Sequence, residues 1–125
     1  MTKVIFIEVT ANRMEMSACQ IAERTYLRGD RLHIMAADQR QVARFDDLLW
    51  TFRPDSFVPH GSFGGEKNEP LPPVVITTDP EKIPGFESLL MLDYCPVETV
   101  AQFSQAIHLV IVDNRERLAA SRDYW

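Results

Sequence analysis

The chain has 125 residues, of which 46% are hydrophobic and 25% charged, a composition typical of one globular domain and not of a disordered protein. The formal net charge is -5 and no run of Lys or Arg occurs, so we expect no direct binding of DNA or RNA. No apolar stretch approaches the roughly 20 residues that cross a bilayer, which excludes a membrane-spanning helix.

Strand-like and helical patterns alternate along the first half of the chain. Residues 3–9 are a continuous run rich in β-branched side chains, typical of a strand covered on both faces, and residues 31–37 are a second run. Between them lies an amphipathic helix that should end at Gly29, with the apolar stripe Met14, Ala18, Ile21, Ala22 and Thr25. Asp38 offers an N-cap to the next helix, whose stripe is Val42, Phe45, Leu48, Leu49 and Phe52.

The second half continues the alternation after a loop rich in Pro and Gly. We expect the loop at about 53–73, strands at 74–78, 88–93 and 106–113, and helices at 96–103 and 114–125. This order predicts a single α/β domain over 1–125, a three-layer sandwich with a Rossmann-like, mainly parallel sheet of about five strands flanked by helices. The connection from 78 to 88 looks too short for a helical crossover, so one strand is expected to be antiparallel or marginal.

Glycine-rich phosphate loops are the first chemistry to consider in an α/β chain. The segment "HGSFGGEK" (60–67) has a superficial likeness to one, but Glu66 separates Gly65 from Lys67, Asn68 follows, and the preceding element is a helix. The first strand-to-helix turn, "VTANRM" (9–14), contains no glycine and so lacks the dinucleotide fingerprint. We expect no P-loop. A degenerate nucleotide-binding protein that uses residues 60–67 stays open as the alternative function.

Candidate metal ligands and nucleophiles are sparse. His33 and His108 fall within predicted strands, and no Cys lies at zinc-ligand spacing from either. Cys95 has no base beside it in the sequence, and Asp46 and Asp47 point about 100° apart on their helix. We therefore expect no catalytic residue, metal or cofactor. The two cysteines and the absence of a signal peptide indicate a cytoplasmic protein with unpaired thiols.

Aromatic side chains follow the second helix into the loop. Trp50 falls at the margin of the apolar stripe, and Phe57, Val58 and Pro59 come soon after it. Together they can form an exposed apolar patch of the kind that marks a protein contact. The alternative is that Trp50 and Phe57 fold over the edge of the sheet as part of the core.

Arginines dominate the last helix. Arg115 and Arg122 lie seven residues apart and share a face, whereas Arg117 is displaced from it. Beside the apolar strand end at Ile111 and Val112, such a helix can hold the acidic end of a peptide, because Arg binds carboxylates with two hydrogen bonds. The alternative is a solvated face with Arg–Glu pairs.

The block "DDLLWTFRPDSFVPHG" (46–61) resembles the helix–loop segment of the chi subunit family of bacterial DNA polymerase III. In that family an "LW" helix end leads into "FVPH", followed by glycines and a Pro before the next strand. The preceding part, from "ACQIAERTYLRGDRLHIMAADQ" onward, is also similar, with a helix that ends in Arg-Gly and an Asp-led second helix. The likeness covers most of the chain and is most specific at 46–61.

The resemblance implies a small non-catalytic protein with a Rossmann-like sheet and no phosphate loop. It implies that the chain links the psi subunit of the clamp loader to the acidic C-terminal tail of single-stranded DNA-binding protein, and reaches DNA only through the latter. Psi would then bind at Trp50 and Phe57, with Val58 and Pro59 in the same loop. Some bacteria offer this surface to an accessory helicase as well.

The resemblance also implies a tail site at the last strand and helix. It identifies Arg122 in "SRDYW" as the main tail-binding residue, with Ile111 or Val112 beneath it. The family often has a second basic residue one turn earlier, where this chain has Leu118, although Arg115 and Arg117 lie close by. Because members of the family generally run further, we expect the last helix to be cut short at Trp125.

Overall fold

A computed structural model of the chain describes residues 2–52, 58–62, 71–79 and 83–124. Within these residues six strands and four α-helices follow one another. They are β1 (Lys3–Val9), α1 (Met14–Leu27), β2 (Leu32–Met35), α2 (Gln39–Thr51), β3 (His60–Ser62), β4 (Val74–Thr77), β5 (Ser88–Met91), α3 (Val97–Val100), β6 (Gln105–Ile111) and α4 (Arg115–Tyr124). The α/β fold expected from the alternating pattern is therefore confirmed.

The strands form one parallel sheet in the order β1-β6-β5-β2-β4-β3. The expectation of an antiparallel or marginal strand near residues 78–88 was wrong, because β4 and β5 both pair in parallel with β2. The sheet also has six strands where about five were expected. The additional strand is β3, whose sequence His-Gly-Ser carries none of the β-branched side chains that mark a strand.

The described part of the connection between β4 and β5 contains a turn and two buried side chains. The amide of Phe86 donates to the carbonyl of Ile83 at 3.0 Å, and Gly85 supplies the positive φ of 88°. Ile83 and Phe86 pack against Val75 of β4 and cover that part of the sheet. A short apolar loop therefore shields the face that a helix would otherwise cover.

Side chains alternate between the two faces of the sheet. On β6, Ile107, Leu109 and Ile111 join the larger core cluster with buried residues of α1 and α2. Ala106 joins the smaller cluster on the opposite face, which includes Val100 of α3 and is flanked by Tyr124 of α4. The helices thus lie in two layers, with the sheet between them.

The sequence signals at the helix ends act as expected. The carboxylate of Asp38 accepts from the amide of Gln41 at 2.8 Å and caps α2. Past α1, Gly29 adopts φ 83°, its amide donates to the carbonyl of Tyr26, and the amide of Asp30 donates to the carbonyl of Thr25. This is the Schellman arrangement, and it ends α1 where the glycine predicted.

Candidate functional site

Helix α4 and the edge of the sheet enclose a groove of about 330 Å³. Its lining combines apolar side chains from β1, β6 and α4 with one cation and one carboxylate: Phe6, Glu8, Val110, Leu118, Ser121 and Arg122. Phe6 is 53% exposed although it lies at the centre of β1, so the groove has an accessible aromatic wall. Such a mixture suits an apolar side chain that ends beside a negative charge.

The position of α4 is fixed by a cap at its N-terminus and by polar contacts on its buried side. Asn114 caps the helix, since its side-chain oxygen accepts from the amide of Arg117 at 3.1 Å. Ser121 Oγ lies 3.1 Å from Nε2 of His108 on β6 and 3.0 Å from the hydroxyl of Tyr94. Arg122 follows Ser121 and is rotated about 100° around the helix, which turns its side chain away from the sheet and towards the groove.

The three arginines that the sequence suggested for a peptide site on α4 do not lie together in the structure. Arg122 lines the groove and, within the described part of the chain, its guanidinium forms no ion pair. Arg117 lines a different cavity on the other side of α4, and Arg115 is exposed and lines neither. The expectation of solvated Arg–Glu pairs thus does not describe Arg122.

The apolar floor beside Arg122 differs from the expected one. Val110 and Phe6 supply it, because even-numbered residues at the end of β6 face α4. Ile111 points to the opposite face and joins the core against α1 and α2, so it does not lie beneath Arg122. Val112 follows the strand, is 40% exposed, and also lies outside the groove lining.

A second cavity of about 120 Å³ opens at the carboxyl ends of β5 and β6. About half of its lining is aliphatic or thioether, and the polar remainder consists of Asp93, Tyr94, His108, Arg117 and Ser121. It shares Ser121 with the groove, and therefore the two cavities flank α4 on either side.

The second functional surface predicted from the sequence lies at the end of α2. Trp50 is 53% exposed, which contradicts the alternative in which it belongs to the core. Val58 is only 1% exposed and joins the larger core cluster, so it supports the loop from within and offers no surface to a partner. Pro59 is half-buried, whereas Phe57 lies outside the described residues.

His60 is the residue of this surface that sequence reasoning missed. Its ring centroid lies 4.7 Å from that of Trp50. Nδ1 lies 2.6 Å from the carbonyl oxygen of Val58, and Nε2 lies 3.0 Å from that of Asp46. The only signal in the sequence was its place in "FVPH", which carries no information about the partners of the ring.

The two cysteines and the possible metal ligands are the groups that could support catalysis. Burial, reinforced by Asp93, raises the pKa of the Cys95 thiol to about 11, so the thiol is protonated and not nucleophilic. Both cysteines are free, as the sequence predicted, and both are buried. Across the described ranges, no group of three His, Cys, Asp or Glu side chains is placed to hold a metal ion.

The segment 60–67, the candidate phosphate loop, is described only in part. Its first three residues form β3, and the remaining five lie outside the described residues. Before α1, Ala11–Arg13 form a short 3-10 turn without glycine.

None of the helices in the described ranges has the length and apolar character needed to cross a membrane.

Comparison with known proteins gives one consistent family. The sequence model of the family described as "DNA polymerase III chi subunit, HolC" matches residues 1–125. The DNA polymerase III subunit chi of Pseudomonas aeruginosa is 29% identical over 105 residues, which are 82% of this chain and 70% of that protein. The protein of the same name from Escherichia coli K12 is 37% identical over 51 residues, 41% of this chain and 35% of that protein.

Proposed function

Since this chain belongs to the DNA polymerase III chi subunit family, and so is an accessory subunit of that complex, we propose that it acts as a non-catalytic adaptor in DNA replication. One surface, at Trp50, binds the psi subunit of the clamp loader. The groove at Arg122 binds the acidic C-terminal tail of single-stranded DNA-binding protein. Holding two partners together raises their effective concentration without any chemical step.

The separation of the two surfaces supports this proposal most directly. Trp50 and His60 lie at the β3 edge of the sheet, whereas Phe6 lies on β1 and lines the groove at the opposite edge. Five strand spacings separate the edges, which is roughly 24 Å. Since α2 and α4 also lie on opposite faces, a partner bound at one surface leaves the other accessible.

The chemistry of the groove fits the end of an acidic peptide. Arg122 supplies a planar cation for a carboxylate, and Phe6, Val110 and Leu118 supply the apolar wall for a terminal aromatic side chain. The net charge of -5 makes a direct hold on DNA unfavourable. An acidic adaptor can still act at the replication fork, because the tail of the binding protein brings the DNA with it.

Titration of a tail peptide tests the groove. We expect Arg122→Ala to weaken binding at least about tenfold, because the carboxylate loses its charged partner. Arg115→Ala is the matched control, since Arg115 is exposed on the same helix and lines neither cavity. Equal affinity of wild type and Arg122→Ala would remove the groove from the proposal.

Co-purification with psi tests the other surface. We expect Trp50→Ala to abolish or strongly weaken psi binding, because truncation of an exposed central Trp commonly costs more than about 2 kcal/mol at an interface. Val97→Ala is the control, since Val97 is also 53% exposed but lies on α3, on the opposite face of the sheet from α2. Retention of psi by Trp50→Ala, with the melting temperature unchanged, would refute the assignment of this surface.

A further inference from the structure

His60 is the first residue of the short strand β3, directly after the loop that follows α2. Its side chain is fully buried, so the exposure of the residue comes from its main chain. Both ring nitrogens are in contact with oxygen: Nδ1 with the carbonyl of Val58, and Nε2 with the carbonyl of Asp46. Oδ1 of Asp46 lies 3.3 Å from Nε2 as well. The ring is therefore fixed from two sides, by its own loop and by the middle of α2.

These contacts leave the imidazole one orientation. A backbone carbonyl only accepts hydrogen bonds, so a ring nitrogen that carries hydrogen donates to the carbonyl beside it. The contacts of the two ring nitrogens link α2 to the segment before β3. Rotation of the ring would break both contacts at once.

The Trp50 indole rests on this fixed ring. The centroids are 4.7 Å apart and the planes are inclined by 55°, so the two rings are in direct contact in a tilted arrangement. Half of the Trp50 surface nevertheless remains exposed, at 53%. An exposed indole without such a support would sample several rotamers, and a partner would have to order it on binding.

We propose that His60 is a positioning residue of the docking surface: it holds the Trp50 indole in the orientation in which the partner meets it. This inference rests on the proposed function of the Trp50 surface. Because the side chain of His60 is buried, it contributes to binding through Trp50 and not by touching the partner. A preorganised aromatic anchor lowers the ordering cost of association, and this gain is what His60 supplies.

Fluorescence of the free chain tests the packing without any partner. In a Trp125→Phe background, Trp50 is the sole tryptophan of the sequence. Loss of the ring changes the surroundings of the indole and frees its rotamers, so His60→Gln should change the emission intensity and lower its anisotropy. Asp47→Asn is the control, since Asp47 lies three residues before Trp50 on the exposed side of α2 and should change neither. Unchanged emission and anisotropy in His60→Gln would overturn the inference.

A double-mutant cycle with psi tests the route of the effect. We expect His60→Gln to weaken psi binding about tenfold, and His60→Gln with Trp50→Ala to bind no more weakly than Trp50→Ala alone. Additive losses would show that His60 acts independently of Trp50 and would overturn the inference. Should His60→Gln fail to fold, His60→Phe keeps a ring beneath the indole but lacks the contacts of both ring nitrogens, and the same coupling is expected.

Psi binding by Trp50→Ala and by His60→Gln distinguishes failure of the proposed function from failure of the role of His60. If Trp50→Ala binds psi as wild type does, the proposed function of this surface fails. If Trp50→Ala loses psi but His60→Gln binds as tightly as wild type, the surface is correct and the role of His60 is refuted.

Discussion

Burial determines the charge of several titratable side chains in this protein. His33 lies in β2 with no exposed surface, and burial lowers its pKa to about 4, against the opposing influence of Asp79. Burial likewise lowers the pKa of His108, and it raises the pKa of the Cys19 thiol to about 12, with a smaller contribution from Glu15. These residues are therefore neutral at pH 7.

We expect the stability of the chain to fall below neutral pH because of His33. The unfolded chain binds a proton near pH 6.5, whereas the folded chain binds it only near pH 4, so the free energy of unfolding decreases as pH falls through this window. The full effect is roughly 3 kcal/mol. Urea unfolding at pH 7 and pH 5 measures it, and His33→Leu should reduce the difference. An equal pH dependence in His33→Leu would contradict this account.

Thiol labelling tests the burial of both cysteines. The thiolate is the reactive form, so the raised pKa values of about 12 for Cys19 and about 11 for Cys95 predict very slow reaction with a disulfide reagent at pH 8. In denaturant both thiols should react at once. Rapid labelling of either cysteine in the native chain would show that its burial is wrong.

Glu8 is the one carboxylate in the groove of α4, and it opposes the ligand that we propose. It is exposed on β1 and would repel an acidic peptide held by Arg122. We expect Glu8→Gln to tighten binding of the tail peptide about threefold, with the gain lost at high salt because exposed charges are screened. Weaker binding by Glu8→Gln would place the peptide elsewhere.

At the scale of helices and strands, local sequence signals determine the helix ends, whereas tertiary pairing determines β3 and the direction of β5. The C-terminal end of α1 follows from Gly29, and the N-terminal end of α2 follows from Asp38. Each of these residues acts within a few residues of its own position. Strand β3 could not be predicted, because its three residues form a strand only by pairing with β4, at His60 to Val74 and its neighbours. The parallel direction of β5 likewise depends on its pairing with β2 and not on the length of the preceding connection.

The end of α1 offers a test of one local signal. A Cβ at Gly29 would meet no atom within 4 Å, so Gly29→Ala should be destabilising only through its positive φ of 83°. We expect a loss of about 1 kcal/mol in the free energy of unfolding, and a smaller loss for Gly29→Asn, because Asn tolerates this conformation better. Chemical denaturation of the three proteins measures both. Equal losses in the two variants would argue against the backbone explanation.

At the scale of the whole molecule, the candidate site was only partly predictable. Trp50 is exposed and Arg122 lines an apolar groove, as their proposed roles require, whereas the roles themselves stay predictions. Which side of β6 faces α4 depends on the register of the strand, and for that reason Val110 took the place expected for Ile111. The support of Trp50 by His60 depends on two segments that meet only in the fold.

Calorimetric titration of the chain already saturated with psi, using the tail peptide, tests the adaptor directly. Since the two surfaces lie at opposite edges of the sheet, we expect the peptide to bind the psi complex with the same affinity as the free chain. Trp50→Ala should lose psi alone and Arg122→Ala the peptide alone. Competition between psi and the peptide, or a single substitution that removes both, would contradict two independent docking surfaces.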